Sequence, residues 1–183
     1  MSKEWDVVEL LKHARHDWLN RLQLIKGNLS LNRLDRVQQT IEEIIAISKN
    51  ESKLTSTGAH KLTAFLLTYG FRETVLKLDI EVNGEVCDLS PYDEELADWC
   101  ESLFYVLENV ANKESNHHLD VSFYLEEGPS LFFDFSGIIE NEKKIEEWLL
   151  KETLTMFSIA CYKIAKDELT VQLVMNEKQH SNS

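Results

Sequence analysis

Residues 10–31 read LLKHARHDWLNRLQLIKGNLSL, and the reading of this stretch decides the N-terminal fold. Val7, Leu11, Ala14, Trp18, Leu22, Ile25 and Leu29 recur every three or four positions. At about 100° per residue they fall on one narrow stripe, which predicts an amphipathic helix. Gly27 and the run NLSLNR weaken that helix, so a turn is expected at about 31–34. A second periodic set follows at Leu34, Val37, Ile41, Ile44 and Ser48, with Ile45 and Ile47 beside it. Asp35 has the chemistry of an N-cap, although Leu34 already fits the stripe. The expectation is a helical hairpin over residues 3–31 and 34–54.

Each helix of such a hairpin has an apolar seam, and two helices alone cover little of it. Pairing with the hairpin of a second copy gives a four-helix bundle with an enclosed core. A homodimer is therefore expected. The other solution packs both seams against the chain's own C-terminal part.

The run SKLTSTGAH at 52–60 reads as a linker. The division expected is 1–55 for the hairpin and 56–183 for a second domain. In the second part, residues 60–72 read as a helix. KLDIEVNGEVCDL reads as a strand that ends in a turn at Asn83-Gly84. Ser90-Pro91 reads as an N-cap with proline at the first helical position, opening a helix on Leu96, Trp99, Leu103, Leu107 and Val110. HLDVSFYL and SLFFDFSG read as an antiparallel pair. A helix at about 141–152 and two further strand-like runs follow, and the tail EKQHSNS reads as frayed. Strands with helices on one face make an α+β sandwich.

The chain has 183 residues and a net charge of −13. Residues 1–55 are close to neutral, and the net negative charge lies beyond them. That acidic part argues against nucleic acid, whose phosphates need basic partners. The near-neutral hairpin sets up no field against an acidic partner. The longest apolar runs fall well short of the ~18 residues a membrane span needs, and the acidic N-terminus does not resemble a secretory signal. A cytoplasmic protein is expected. Cys87, Cys100 and Cys161 form no CxxC pair, so they read as buried or half-buried thiols rather than a zinc or redox motif.

The polar face of the first helix carries the chemistry. Counted round the helix by its periodicity, His16, Asn20, Gln23 and Gly27 all fall on the half opposite the seam. His16 thus points away from the seam, with Asn20 one turn along. Gly27, further along the same face, leaves room for something to approach the backbone. Asp17 falls about a quarter turn from His16 and reaches it only if both side chains lean together. No ligand set for tight metal binding surrounds His16, and no serine or cysteine neighbour suggests acyl transfer. A neutral imidazole is a good nucleophile at pH 7 and can carry a phosphoryl group. The plain alternative is a solvated helix face.

The string HDWLNRLQLIKGNLSL is similar to the phosphoacceptor helix of histidine kinases with an H-D/E-x-x-N arrangement. It most resembles the sporulation initiation phosphotransferase B family. DRVQQTIEEI, NESKL, DLSPYDEELA and ESNHHLDVS resemble that family too. The likeness spans most of residues 8–136 and weakens from about 137. It implies that His16 is the phosphorylated histidine and that the protein is a phosphorelay phosphotransferase. The phosphoryl group would pass from the aspartate of one response regulator, through His16, to the aspartate of a second, a transcription factor controlling sporulation initiation. It also implies a dimer of paired hairpins.

On that reading Asp17 holds the ring tautomer, and Asn20 hydrogen-bonds the incoming phosphate or the partner's backbone. Lys12, Arg15, Leu19, Gln23 and Lys26 are the expected partner contacts. Of the candidate cations Arg15, Arg21 and Lys26, only Arg15 and Lys26 lean toward His16, and a plain surface role accounts for each equally well. No cofactor of the protein's own is expected; Mg²⁺ is expected on the receiver domain.

The C-terminal pattern, an α/β sandwich, resembles that of a histidine-kinase ATPase domain. FYVLENVANKES is similar to its asparagine-bearing helix, with Asn109 at the metal-ligand position, and DFSG to part of its first glycine motif. A phosphate cradle needs a glycine-rich loop. None of the six glycines forms a GxG pair, and IIENEKKIEEWLL after Gly137 brings acids that repel a triphosphate. The expectation is a degenerate domain that kept the fold and lost the nucleotide, with Asn109, His117 and His118 structural or surface residues. The alternatives left open are an ATP-dependent sensor histidine kinase core and a non-catalytic scaffold that binds receivers.

Overall fold

The computed structural model of the chain describes residues 7–72, 74–126 and 128–176. They divide into two compact units between Ser52 and Lys53.

The first unit is the helical hairpin. Helix α1 runs Val7–Ser30 and α2 runs Leu34–Thr55. The expected residues 3–6 of the first helix lie outside the described residues. The turn between the helices has a chemical cause. Asn32 takes a left-handed φ of 53°. Its N–H donates to the Leu29 carbonyl at 3.0 Å, and the Arg33 N–H donates to Asn28 at 2.9 Å. This bond pair closes a helix on a left-handed residue, a place asparagine tolerates better than most. Asp35 is not an N-cap, because Leu34 is already helical. It sits in the first turn, where its charge complements the helix dipole.

Within the hairpin Thr40 is buried, and its hydroxyl donates to the Arg36 carbonyl at 2.8 Å. Much of the seam is bare, although Ala14, Ile25, Val37 and Ile44 are half-buried. Val7, Leu11, Trp18, Leu22 and Leu29 on α1, and Leu34, Ile41 and Ile45 on α2, are all exposed, Leu22 at 55%.

The second unit begins where a linker was expected. Leu54, Thr57 and Ala59 are instead buried. The Leu89 N–H donates to the Thr57 carbonyl at 2.7 Å, and the Thr57 hydroxyl donates to Leu54 at 2.7 Å. Composition suggested a loose joint, but threonine and glycine here make a packed corner, with Gly58 at φ 76°. Helix α3, His60–Tyr69, follows and ends short of the expected residue 72. Its first N–H groups, those of Lys61 and Leu62, donate to the Asp93 carboxylate at 2.9 and 2.8 Å.

Strand β1 runs Leu76–Asn83 and ends at Gly84, φ 88°. Helix α4 is Asp93–Val110. Ser90 does not cap it: Ser90–Tyr92 form a separate 3-10 turn. Three acids in the first turn of α4 answer its dipole. Strands β2, His117–Tyr124, and β3, Ser130–Ser136, are the expected antiparallel pair. Helix α5, Glu142–Lys151, starts at Asn141, whose side chain accepts the Lys144 N–H at 3.2 Å. Strands β4, Phe157–Ile164, and β5, Glu168–Met175, complete the sheet. The tail at 177–183 lies outside the described residues.

The sheet order is β1-β2-β3-β5-β4. β1 runs parallel to β2, and every other pair is antiparallel. A parallel pair needs a crossover, which α4 supplies. Residues 119, 121 and 123 of β2, 131, 133 and 135 of β3, and 169, 171 and 173 of β5 are buried on one face. Trp99 of α4 packs there, its ring 5.0 Å from Phe133 and 5.4 Å from Trp148. The expected α+β sandwich is therefore present. Cys100 is buried, which pushes its thiol up, and Cys87 is half-buried. Cys161 is exposed, contrary to expectation, because it lies on the uncovered side of β4.

His117 is the least expected core residue, at 2% exposure. Its Nε2 lies 2.7 Å from the Asn112 carbonyl, which can only accept, so Nε2 carries the hydrogen. A Cβ on Gly137 would fall 2.0 Å from the other ring nitrogen. Gly137→Ala therefore forces the ring to move, and should cost about 3 kcal/mol by overpacking. Urea denaturation checks this; an unchanged midpoint contradicts it.

Candidate functional site

The candidate site lies on α1. His16 is open to solvent, with 74% of its side chain exposed. Its Nδ1 lies 3.1 Å from Asn20 Nδ2, one helical turn along. Asp17 Oδ1 lies 3.7 Å from the same nitrogen, too far for a hydrogen bond. The inner ring nitrogen is engaged and the outer one, Nε2, faces no hydrogen-bonding partner among the described residues.

The Asn20 contact bears on the tautomer. With Nδ2–H donated to Nδ1, the ring hydrogen resides on Nε2. Half a turn of the amide exchanges donor and acceptor. Oδ1 then accepts Nδ1–H, and the free lone pair moves to Nε2. One side chain thus serves both tautomers without moving the helix.

Among the residues singled out in the sequence, His16, Asp17 and Asn20 come together. Lys12, Arg15, Leu19, Gln23 and Lys26 are all exposed along α1. Lys12, Leu19 and Gln23 lie within about 60° of His16, while Arg15 and Lys26 stand about a quarter turn round. The bond between Asn20 and the ring was not foreseen; the sequence reading sent Asn20 toward phosphate or partner. Its signal was the four-residue spacing that makes helix neighbours.

In the second unit, Asn109 is exposed and donates to the Tyr105 carbonyl of its own helix at 2.7 Å. Gly137 is taken up by packing against His117. His118 stands on the open face of the sheet. Its Nε2 is 2.9 Å from Asp79 Oδ2 and 3.2 Å from Asp120 Oδ1. These three groups could hold a cation by spacing alone. An imidazole between two carboxylates is equally a plain surface ion pair. No helix among the described residues is long and apolar enough to cross a membrane.

Family models match both units. One, described as the SpoOB-type sensor kinase alpha-helical domain, covers residues 1–57. The other, the C-terminal part of sporulation initiation phosphotransferase B, covers residues 58–176. The chain belongs to the sporulation initiation phosphotransferase B family. The Bacillus subtilis (strain 168) protein of that name is 39% identical over 145 residues, which span 78% of this chain and 76% of that one.

Among solved structures, the catalytic domain of histidine kinase ThkA overlays with a TM-score of 0.43 at 10% identity. It covers 67% of this chain and 91% of its own. The Erythrobacter litoralis blue-light activated histidine kinase EL346 also gives 0.43 at 10% identity, covering 96% and 61%.

In this member of the family, replacing Asn20 by alanine should leave the helix intact and release the ring. The ¹⁵N shifts of His16 should then move toward those of an unconstrained imidazole, with circular dichroism unchanged. Identical ¹⁵N shifts in wild type and variant would show that the amide does not hold the ring.

Proposed function

We propose that this protein is a phosphorelay phosphotransferase whose His16 carries the phosphoryl group between two receiver domains. The observation that carries the reading is the exposed imidazole of His16, with its inner nitrogen held and its outer nitrogen unengaged. It stands on the family's helical domain, and the B. subtilis relative is named a phosphotransferase.

The chemistry follows from that geometry. The Nε2 lone pair attacks phosphorus of an aspartyl phosphate on the first receiver. The P–N bond forms as the P–O bond to the aspartate breaks, and the carboxylate leaves with the electron pair. The second receiver reverses the step: its aspartate oxygen attacks, and the ring regains its lone pair. Mg²⁺ held by the receiver would neutralise charge at phosphorus, and positioning supplies most of the rest. During each transfer Nδ1 keeps its hydrogen, accepted by Asn20 Oδ1, while the Asp17 carboxylate steadies the positive ring.

No nucleotide is consumed, so the exchange is reversible. The second unit acts without ATP: it lacks a GxG pair, and Asn109 is turned onto its own helix. The two partners are an upstream single-domain regulator and a downstream transcription-factor regulator controlling sporulation, met in the cytoplasm. Both dock transiently on the surface that displays Lys12, Arg15, Leu19, Gln23 and Lys26.

The bare seam supports a homodimer. Eight large apolar side chains along the seam of the two helices are exposed, and pairing with a second hairpin encloses them. The protein should sediment as a dimer, and Leu11→Glu with Leu22→Glu should give monomer. A wild-type monomer at micromolar concentration would rule the pairing out.

The relay itself is tested with a response regulator charged by acetyl phosphate. Mixing should place acid-labile, base-stable label on the protein, and His16→Gln should abolish it. Labelled ATP alone should give none. Label from ATP alone would establish a kinase; no label from either source would establish a scaffold.

A further inference from the structure

The open face of the sheet carries a charge pattern that neither the core nor the site on α1 uses. On β1, β2 and β3 the charged side chains directed away from the core are Lys77, Asp79, Glu81, Asp120 and Asp134. One lysine thus stands among four carboxylates. Asp79, Asp120 and Asp134 share a single register row across the three strands. Like charges placed opposite one another destabilise a sheet. A cation held among them removes that cost.

His118 turns part of this row into a ligand set. It precedes Asp120 by two residues, so both lie on the same face of β2. Its Nε2 is 2.9 Å from Asp79 Oδ2 and 3.2 Å from Asp120 Oδ1. The three ligand atoms all lie within 4.8 Å of one another. Two donors bound at about 2.1 Å to one zinc ion stand about 3.0 Å apart at a right angle and about 3.4 Å apart at the tetrahedral angle. Both measured separations agree with that range. A hydrogen bond accounts well for only one of them. Nε2 carries at most one hydrogen, which cannot point straight at two carboxylates. A metal ion in place of that hydrogen is shared by all three donors. The donors also stand on paired strands rather than on a loop, since Asp79 and Asp120 are direct partners in the β1–β2 ladder.

We infer that Asp79, His118 and Asp120 bind a divalent transition-metal ion of the zinc class, through one imidazole nitrogen and two carboxylate oxygens. Their side chains are half-exposed or more, so water completes the coordination. The imidazole favours zinc over Mg²⁺ and Ca²⁺, which prefer oxygen alone. The site belongs to the second unit and is independent of the relay at His16. Its effect is structural. β1 is an edge strand held by β2 alone, in the one parallel pair of the sheet. Parallel pairing is slightly weaker per residue than antiparallel. An ion shared by Asp79 on β1 and by His118 and Asp120 on β2 clips that edge to the sheet.

Calorimetric titration of the full chain with Zn²⁺ should show a site with a Kd tighter than about 50 µM, and Mg²⁺ should bind at least about tenfold more weakly. Weaker zinc binding, or equal binding of Mg²⁺, overturns the inference. With the histidine rings enriched in ¹⁵N, the Nε2 resonance of His118 should shift as Zn²⁺ is added. Zinc uptake that leaves it unmoved puts the ion elsewhere and overturns the inference. His118→Gln and Asp120→Asn should each weaken binding by more than about tenfold. Asp134→Asn, in the same row but outside the donor set, should change it by less than about threefold. Equal weakening in all three variants marks general attraction to an acidic face, and an unchanged Kd in His118→Gln marks a different site; either result overturns the inference.

The clip is read separately, on the wild-type protein. Zn²⁺ at about 100 times its Kd should raise the melting temperature by roughly 5 °C, and amide exchange in β1 should slow. Zinc that binds at His118 yet leaves β1 exchange unchanged overturns the clip.

Discussion

A hydrogen bond across one helical turn, between the Asn20 amide and His16 Nδ1, is the interaction on which the site depends. It joins two side chains that the helix already places as neighbours, so it costs little ordering beyond the helix itself. It fixes an imidazole that nothing else encloses. Without it, His16 is one more mobile side chain on a solvated face. With it, the ring has one nitrogen spoken for and one directed outward. On the proposed reading the ring meets two large partners in turn and cannot lie in a pocket of its own protein, so rigidity has to come from the helix and a neighbour on it.

The two units meet different physical demands. The second has a conventional core, with one sheet face buried under α4 and Trp99 at its centre. Its open face places Asp79, Asp120 and Asp134 directly opposite one another on neighbouring strands. Like charges so arranged destabilise a sheet. Partial burial, then the nearby Glu168 and Asp120, raise the Asp134 carboxyl above its ordinary range. The hairpin is the reverse case, nearly neutral in charge, with its apolar seam exposed and almost nothing buried within it. It is the part that needs a partner, and on the proposed reading it has two kinds: a second copy on the seam and receivers on the opposite face.

Much of this was legible in the sequence. The three- and four-residue spacing from Val7 to Leu29 predicts α1 and puts His16 opposite the seam, because a helix repeats its geometry faithfully. The strand pattern likewise gives the α+β class. The readings that failed were local. Thr57 and Gly58 look like linker chemistry, yet they turn a corner whose burial depends on Leu89, some thirty residues away. Ser90-Pro91 looks like a helix start and is a separate turn, and the Asp93 carboxylate after it is directed to the N-terminus of α3. The parallel pairing of β1 with β2 and the burial of His117 against Gly137 are also non-local, and no short-range pattern encodes them. At the site, the spacing of His16 and Asn20 was visible, but the bond between them needed side-chain geometry.

The most direct measurement is the position of phosphorus on the labelled protein. Phosphorylated by a charged response regulator with its ring nitrogens enriched in ¹⁵N, the protein should show phosphorus coupled to Nε2 of His16, with Nδ1 still carrying hydrogen. Phosphorus coupled to Nδ1, or attached to any other residue, would contradict the account of a ring held from within and open outward.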